Sequence, residues 1–97
     1  MPNSVALSGS LLERKSKRFT PAGLPVVEGL ISHCSEVQEA ASPRTIEMDV
    51  RFKALGSIAE RIEGVRLGTQ LKMQGFLAPA RLRSQQLIFH ITNFELE

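Results

Sequence analysis

Apolar and polar residues alternate along most of this chain with a period of two, the pattern of a β-strand, whose successive side chains leave on opposite faces. Val5, Leu7, Gly9 and Leu11 share one face of a first strand, with Ser4, Ala6, Ser8 and Ser10 on the other. The outer set is small, which lets another backbone come close, so the strand reads as an edge able to pair with its copy in a homodimer through Ser4, Ala6 and Ser8. Thr20-Pro21-Ala22-Gly23 is turn chemistry, since Pro fixes φ and Gly accepts positive φ. A second strand is expected from about Leu24 to Ser35. Glu36 to Arg44 lacks apolar periodicity and contains Ser42-Pro43, so it reads as a hairpin tip or mobile loop. The third strand has the clearest alternation, with Ile46, Met48, Val50 and Phe52 on one side and Glu47, Asp49, Arg51 and Lys53 on the other.

The period changes after Gly56. Ser57 followed by Glu60 has the form of a capping box, Ile58 and Ile62 share a helical face, and Gly64 stands where a left-handed cap would end a helix of about two turns. Past Val65 and Arg66 a fourth strand places Leu71, Met73, Gly75 and Leu77 on one face and bends around Gly75. Pro79 stops regular pairing, and Arg81, Arg83 and Ser84 make a polar loop. In the fifth strand Leu87, Phe89 and Ile91 alternate inward, but the next apolar pair is Phe94 and Leu96. That slip of phase predicts a β-bulge near Thr92-Asn93. Five strands with one short helix between the third and fourth have the order of an all-β OB-fold barrel, in which the helix plugs the bottom.

Composition sharpens this picture. Ninety-seven residues, 42% of them hydrophobic, form one domain over residues 1–97, since a chain of this size cannot build two cores. All five aromatic residues are Phe, so Leu, Ile and Val must fill most of the core, and a partner subunit covering more surface would widen a modest margin. The lone Cys34 has no intrachain partner and the N-terminus has no secretory pattern, which fits a reducing bacterial cytoplasm. No apolar run approaches the roughly 20 residues that span a bilayer.

The net charge is only +2, but its distribution is uneven: Arg14, Lys15, Lys17 and Arg18 cluster, while Glu28, Glu36, Glu39, Glu47 and Asp49 are opposed only by Arg44 within their span. A local cluster can attract phosphate whatever the total. Catalytic patterns are missing from the sequence. His33 and Cys34 are neighbours on a strand and point to opposite faces, Ser8-Gly9-Ser10 has no nucleophile-elbow context, and no phosphate-binding Gly loop precedes a helix. Neither an enzyme, a metal nor a cofactor is expected.

Nucleic-acid binding has better support. An OB barrel binds strands across its second and third strands, between the loops joining strands one to two and four to five. The first loop carries Arg14, Lys15, Lys17, Arg18 and Phe19 and the second Arg81 and Arg83, with Arg44, Arg51 and Lys53 between them. Phe19 is the candidate for base stacking, and Phe52, Phe76, Phe89 and Phe94 have core-like positions. Glu47 and Asp49 on the outer face of the third strand oppose DNA there and leave open a second reading, a protein-interaction adapter with incidental DNA binding.

The run Asn3 with Leu7-Ser8-Gly9, then Pro21, Gly23 and Pro25, His33 with Ser35, Glu39-Ala40, Arg44, Gly56, and Gly68 through Gln74-Gly75-Phe76 resembles, in order and spacing, the primosomal replication protein N family. That family lies within the bacterial single-stranded-DNA-binding OB-folds, which Leu55-Gly56-Ser57-Ile58-Ala59-Glu60 also resembles. The resemblance implies a homodimer of OB-folds that binds single-stranded DNA and joins a restart helicase and a helicase-loading protein of the primosome at forked DNA. It further implies DNA contacts at Arg18, Arg81 and Arg83. Two positions depart from the pattern: Glu47 stands where an aromatic contact is expected, and Cys34 where a basic residue can occur.

Overall fold

The structure, a computed structural model, describes residues 2–97. Its strands are β1 (Val5–Arg14), the short β2 (Arg18–Phe19), β3 (Pro25–Glu39), β4 (Ser42–Leu55), β5 (Gln70–Pro79) and β6 (Leu87–Leu96), with one helix, α1 (Ser57–Glu63), between β4 and β5. The long strands run β1-β5-β6-β4-β3, and a further β1–β3 pairing closes the barrel. All neighbours are antiparallel except β4 and β6, which pair in parallel at Phe52–Phe89 and Lys53–His90. This is the OB-fold barrel expected from the strand order.

The inward residues Leu11, Val27, Ile31, Phe52, Ala54, Leu71, Met73, Phe89, Ile91 and Phe94 form one core, and α1 closes it from below with Ile58, Ala59 and Ile62. Closure needs two backbones to cross with no side chain between them. A Cβ on Gly75 would lie 1.8 Å from the carbonyl oxygen of His90, and one on Gly29 would lie 2.0 Å from that of Glu13. The expected bulge is present: Gln74 pairs with Asn93 and Gly75 with Ile91, leaving Thr92 out of register. No helix among the described residues is long and apolar enough to cross a membrane.

Several expectations are corrected. Of the two readings of Glu36 to Arg44, the hairpin tip holds and the mobile loop does not: β3 and β4 stay paired out to Glu39 and Ser42. The turn is only Ala40-Ala41, at φ +52° and +63°. Such a primed turn matches strand twist but usually carries Asn or Gly, so two alanines gave no signal. Pro43 fits because this end of β4 pairs only with β3 and its other edge is free. The capping box does not form either, because Gly56 itself (φ +76°) is the N-cap and no side chain caps the helix. Glu60 instead accepts from Lys17. Gly64 is right-handed at φ −84° and ψ −2°. Leu87, expected inward with Phe89, is 55% exposed at the start of β6, whereas Phe89 is buried.

Candidate nucleic-acid interface

β3 and β4 present their outer side chains as cross-strand pairs: Glu28 with Lys53, Leu30 with Arg51, Ser32 with Asp49, and Cys34 with Glu47. The charge therefore changes sign along β4, with the basic half at the barrel and the acidic half on the projecting hairpin. At about 3.3 Å per residue, Lys53 and Asp49 are roughly 13 Å apart, beyond the ~8 Å screening length at physiological salt, whereas Arg51, about 7 Å from Asp49, is within it. The hairpin carboxylates therefore leave Lys53 unscreened and weaken the field at Arg51.

The loop after β1 runs beside this basic half. Lys15 donates its backbone N–H to Glu28 at 2.8 Å. β2 pairs Arg18 with Val26 and Phe19 with Pro25. Arg18 makes a 2.5 Å ion pair with Glu28. The Arg18 guanidinium, with Lys53 and Lys15 behind it, holds the Glu28 carboxyl below its ordinary range. Phe19 is 60% exposed. Lys17 lies 5.5 Å from the centre of its ring. On the other side, the loop from β5 to β6 is closed at its base by the Ala80 N–H donating to the Gln86 carbonyl at 2.8 Å. The Gln86 side chain accepts from Arg51 at 3.3 Å, tying that loop to β4. Arg81 and Arg83 are exposed at its tip. Among the described residues, neither side chain has a hydrogen-bonding or ion-pair partner. A broad groove of about 590 Å³, lined in part by Arg14, Lys15, Glu28, Leu30 and Arg51, lies between the strands and the first loop.

The candidate residues thus separate by placement. Lys15, Arg18, Phe19, Arg51 and Lys53 share the basic face or its rim, and Arg81 and Arg83 extend from the loop tied to it. Arg14 lines the groove, but its guanidinium donates to the carbonyls of Ile62, at 3.5 Å, and Val65, filling the C-terminal end of α1. Lys17 is held by Glu60 at 3.0 Å and Glu63 at 3.4 Å, and Glu60 raises its pKa most. Arg44 lies far out on the hairpin, on the Ile46 and Met48 side rather than that of Arg51 and Lys53, paired with Glu39 at 2.5 Å.

Sequence reasoning missed three features. Leu82, between Arg81 and Arg83, is 92% exposed. Gln86 anchors Arg51. Phe76, expected in the core, lies outside the barrel 37% exposed and stacked on His90. Its parity was legible, since Gly75 and Leu77 were placed on the other face. Ser4 precedes β1, while Ala6 and Ser8 are exposed on it. β5 pairs with one edge of β1 over Val5–Ser10, and β3 pairs with the other only from Ser10 onward. The intervening edge is unpaired among the described residues, apart from a 2.6 Å contact between His33 Nδ1 and the Ser8 carbonyl. His33 and Cys34 diverge as expected, and no group of three metal-ligating side chains occurs among the described residues.

A closed five-strand barrel with a helix plug and a basic outer face defines an OB domain of the single-strand-binding type. A family model described as "another single-strand binding protein family" matches residues 3–93. The replication restart protein PriB of Bordetella pertussis is 45% identical over 89 residues, covering 92% of this chain and 83% of that protein. The PriB structure from Ralstonia solanacearum superposes with a TM-score of 0.91 at 33% identity, covering 100% of this chain and 99% of that one. The single-stranded DNA binding protein of Thermus aquaticus shares the fold at a TM-score of 0.76 and 20% identity, covering 99% of this chain and 50% of that one. This chain belongs to the PriB family of replication restart proteins, within the single-strand binding protein family.

Proposed function

We propose that this chain is a non-enzymatic replication-restart factor that binds single-stranded DNA on the basic half of the β3–β4 face and steadies a restart helicase on forked DNA. The observation that carries the reading is the division of charge along β4, which leaves Arg51 and Lys53 near Arg18 and tied through Gln86 to the loop of Arg81 and Arg83, with Glu47 and Asp49 out on the hairpin and Glu28, the one carboxylate among the cations, held by Arg18. A strand laid across this face meets cations at both margins. Pairing of the free β1 edges through Ala6 and Ser8 makes a homodimer. The dimer holds DNA with one surface and the helicase or helicase-loading protein with another, and effective concentration turns two weak contacts into one stronger assembly.

The acidic hairpin favours a second reading, an adapter whose charged surfaces dock proteins. The two separate in a fluorescence-anisotropy titration of a labelled single strand over a range of salt, with duplex and heparin as competitors. Each phosphate neutralised contributes about 0.7 to the logarithmic salt slope, so reversing Arg18, Arg81 and Arg83 to Glu should flatten it by about 2. An unchanged slope, or heparin and duplex displacing the protein as well as a single strand does, would overturn the DNA reading in favour of the adapter.

A further inference from the structure

We propose that the Phe76–His90 pair on the outside of the barrel is a stacking platform for one unpaired base of the bound DNA strand, a role that rests on the single-strand reading above. The register sets out one continuous outer row across four strands: Glu28 on β3 faces Lys53 on β4, Lys53 faces His90 on β6, and His90 faces Phe76 on β5. Arg18 closes the row at the Glu28 end. A strand held by Arg18 and Lys53 therefore arrives directly at an aromatic surface.

The two rings are already organised for stacking. Their centroids are 4.8 Å apart and their planes 15° from parallel, yet Phe76 remains 37% exposed. His90 fixes the ring before any ligand arrives, so a base would lose little of its stacking energy to ordering it. Burial, with Lys53 adding to it, keeps the His90 imidazole below its ordinary pKa, so the row carries no cation beyond Arg18 and Lys53. Phe76 lies two strand spacings, roughly 10 Å, from Lys53, a separation that lets the base sit on the ring while a phosphate turns back to the ammonium. Beside the rings is a hollow of about 240 Å³ that also takes in Thr92, whose hydroxyl donates to the Gln74 carbonyl, and Ser57, whose hydroxyl can meet a base edge. A protein partner would need far more apolar area than one ring provides. An unpaired base needs only one face.

The chain has no Trp or Tyr, so Phe76→Trp introduces a single indole reporter. Titration with oligo-dT should quench its emission in step with the anisotropy of the labelled oligonucleotide, and an abasic oligonucleotide of equal length should bind more weakly with no quenching. Phe76→Ala should weaken oligo-dT binding by roughly 5- to 150-fold with the salt slope unchanged. If anisotropy rises while the indole is unmoved, or the abasic strand quenches equally, the platform is refuted and the DNA reading stands. No anisotropy change with the unmodified protein would refute both. Should Phe76→Ala fail to fold, the indole titration decides alone.

Discussion

Gly29→Ala tests whether close backbone approach closes the barrel. The added methyl would lie 2.0 Å from the Glu13 carbonyl oxygen and 2.8 Å from Phe52 Cε2. Ordinary contact begins at 3.4 Å, so the carbonyl must retreat by about 1.4 Å. That retreat is resisted on both sides. Glu13 and Arg14 are paired to Leu30 and Gly29, and the Arg14 side chain is held against the end of α1. Overpacking of this kind costs about 1–3 kcal/mol, with the upper end expected where the obstacle is backbone. Restricting the unfolded chain returns about 0.4–1 kcal/mol, for a net loss near 2 kcal/mol. For a chain of this length that is a fall of about 8–16 °C in Tm. Thermal unfolding followed by far-UV circular dichroism measures it, at one protein concentration because association into the proposed dimer would also shift Tm. Gly64→Ala is the control: its φ is −84° and a Cβ meets nothing nearer than 3.7 Å, so it should be neutral or slightly stabilising. A folded Gly29→Ala protein melting with the wild type would refute the account of closure.

Glu28→Gln removes the partner that restrains Arg18. Because the folded-state pKa of Glu28 lies below its ordinary value of 4.5, the ion pair's stabilisation is fully present above that value and is lost as pH falls through the lower one. The Tm difference between wild type and Glu28→Gln should therefore shrink to nothing at acid pH, and a pH-independent difference would count against the pair. Removing a carboxylate from beside Arg18 should also tighten single-stranded DNA binding at a given salt, and weaker binding would count against Arg18 as a phosphate contact. Ala6→Lys places a cation on the exposed edge of β1 and should yield monomers in sedimentation velocity; a full dimer would place the interface elsewhere.

Strand parity was the most legible part of the fold. Alternation in β1, β4 and β5 identified buried and outer faces, and the slipped phase of Phe94 and Leu96 located the bulge at Thr92, because burial on one side leaves a direct mark on sequence. The hairpin tip was legible only as a span: its exact turn was not, because Ala40-Ala41 takes a backbone conformation that its residue types do not announce, and its flanking strands project past the core that would have patterned them. Helix capping failed for a similar reason: Ser57 and Glu60 have the right spacing, but Gly56 takes the cap position and Lys17, distant in sequence, takes Glu60.

The sequence by itself determined an all-β barrel, the order of its elements and the two basic loops, since these follow from residue periodicity and local turn chemistry. Only the tertiary structure decided which cations are free. Arg14 and Lys17 look like Lys15 in the sequence, yet the fold brings the end of α1 to the first and Glu60 and Glu63 to the second. It likewise set Phe76 against His90 across the adjacent β5 and β6 and brought Lys53, far from His90 in the chain, into line with both, a placement fixed only when β4 and β6 pair as the barrel closes.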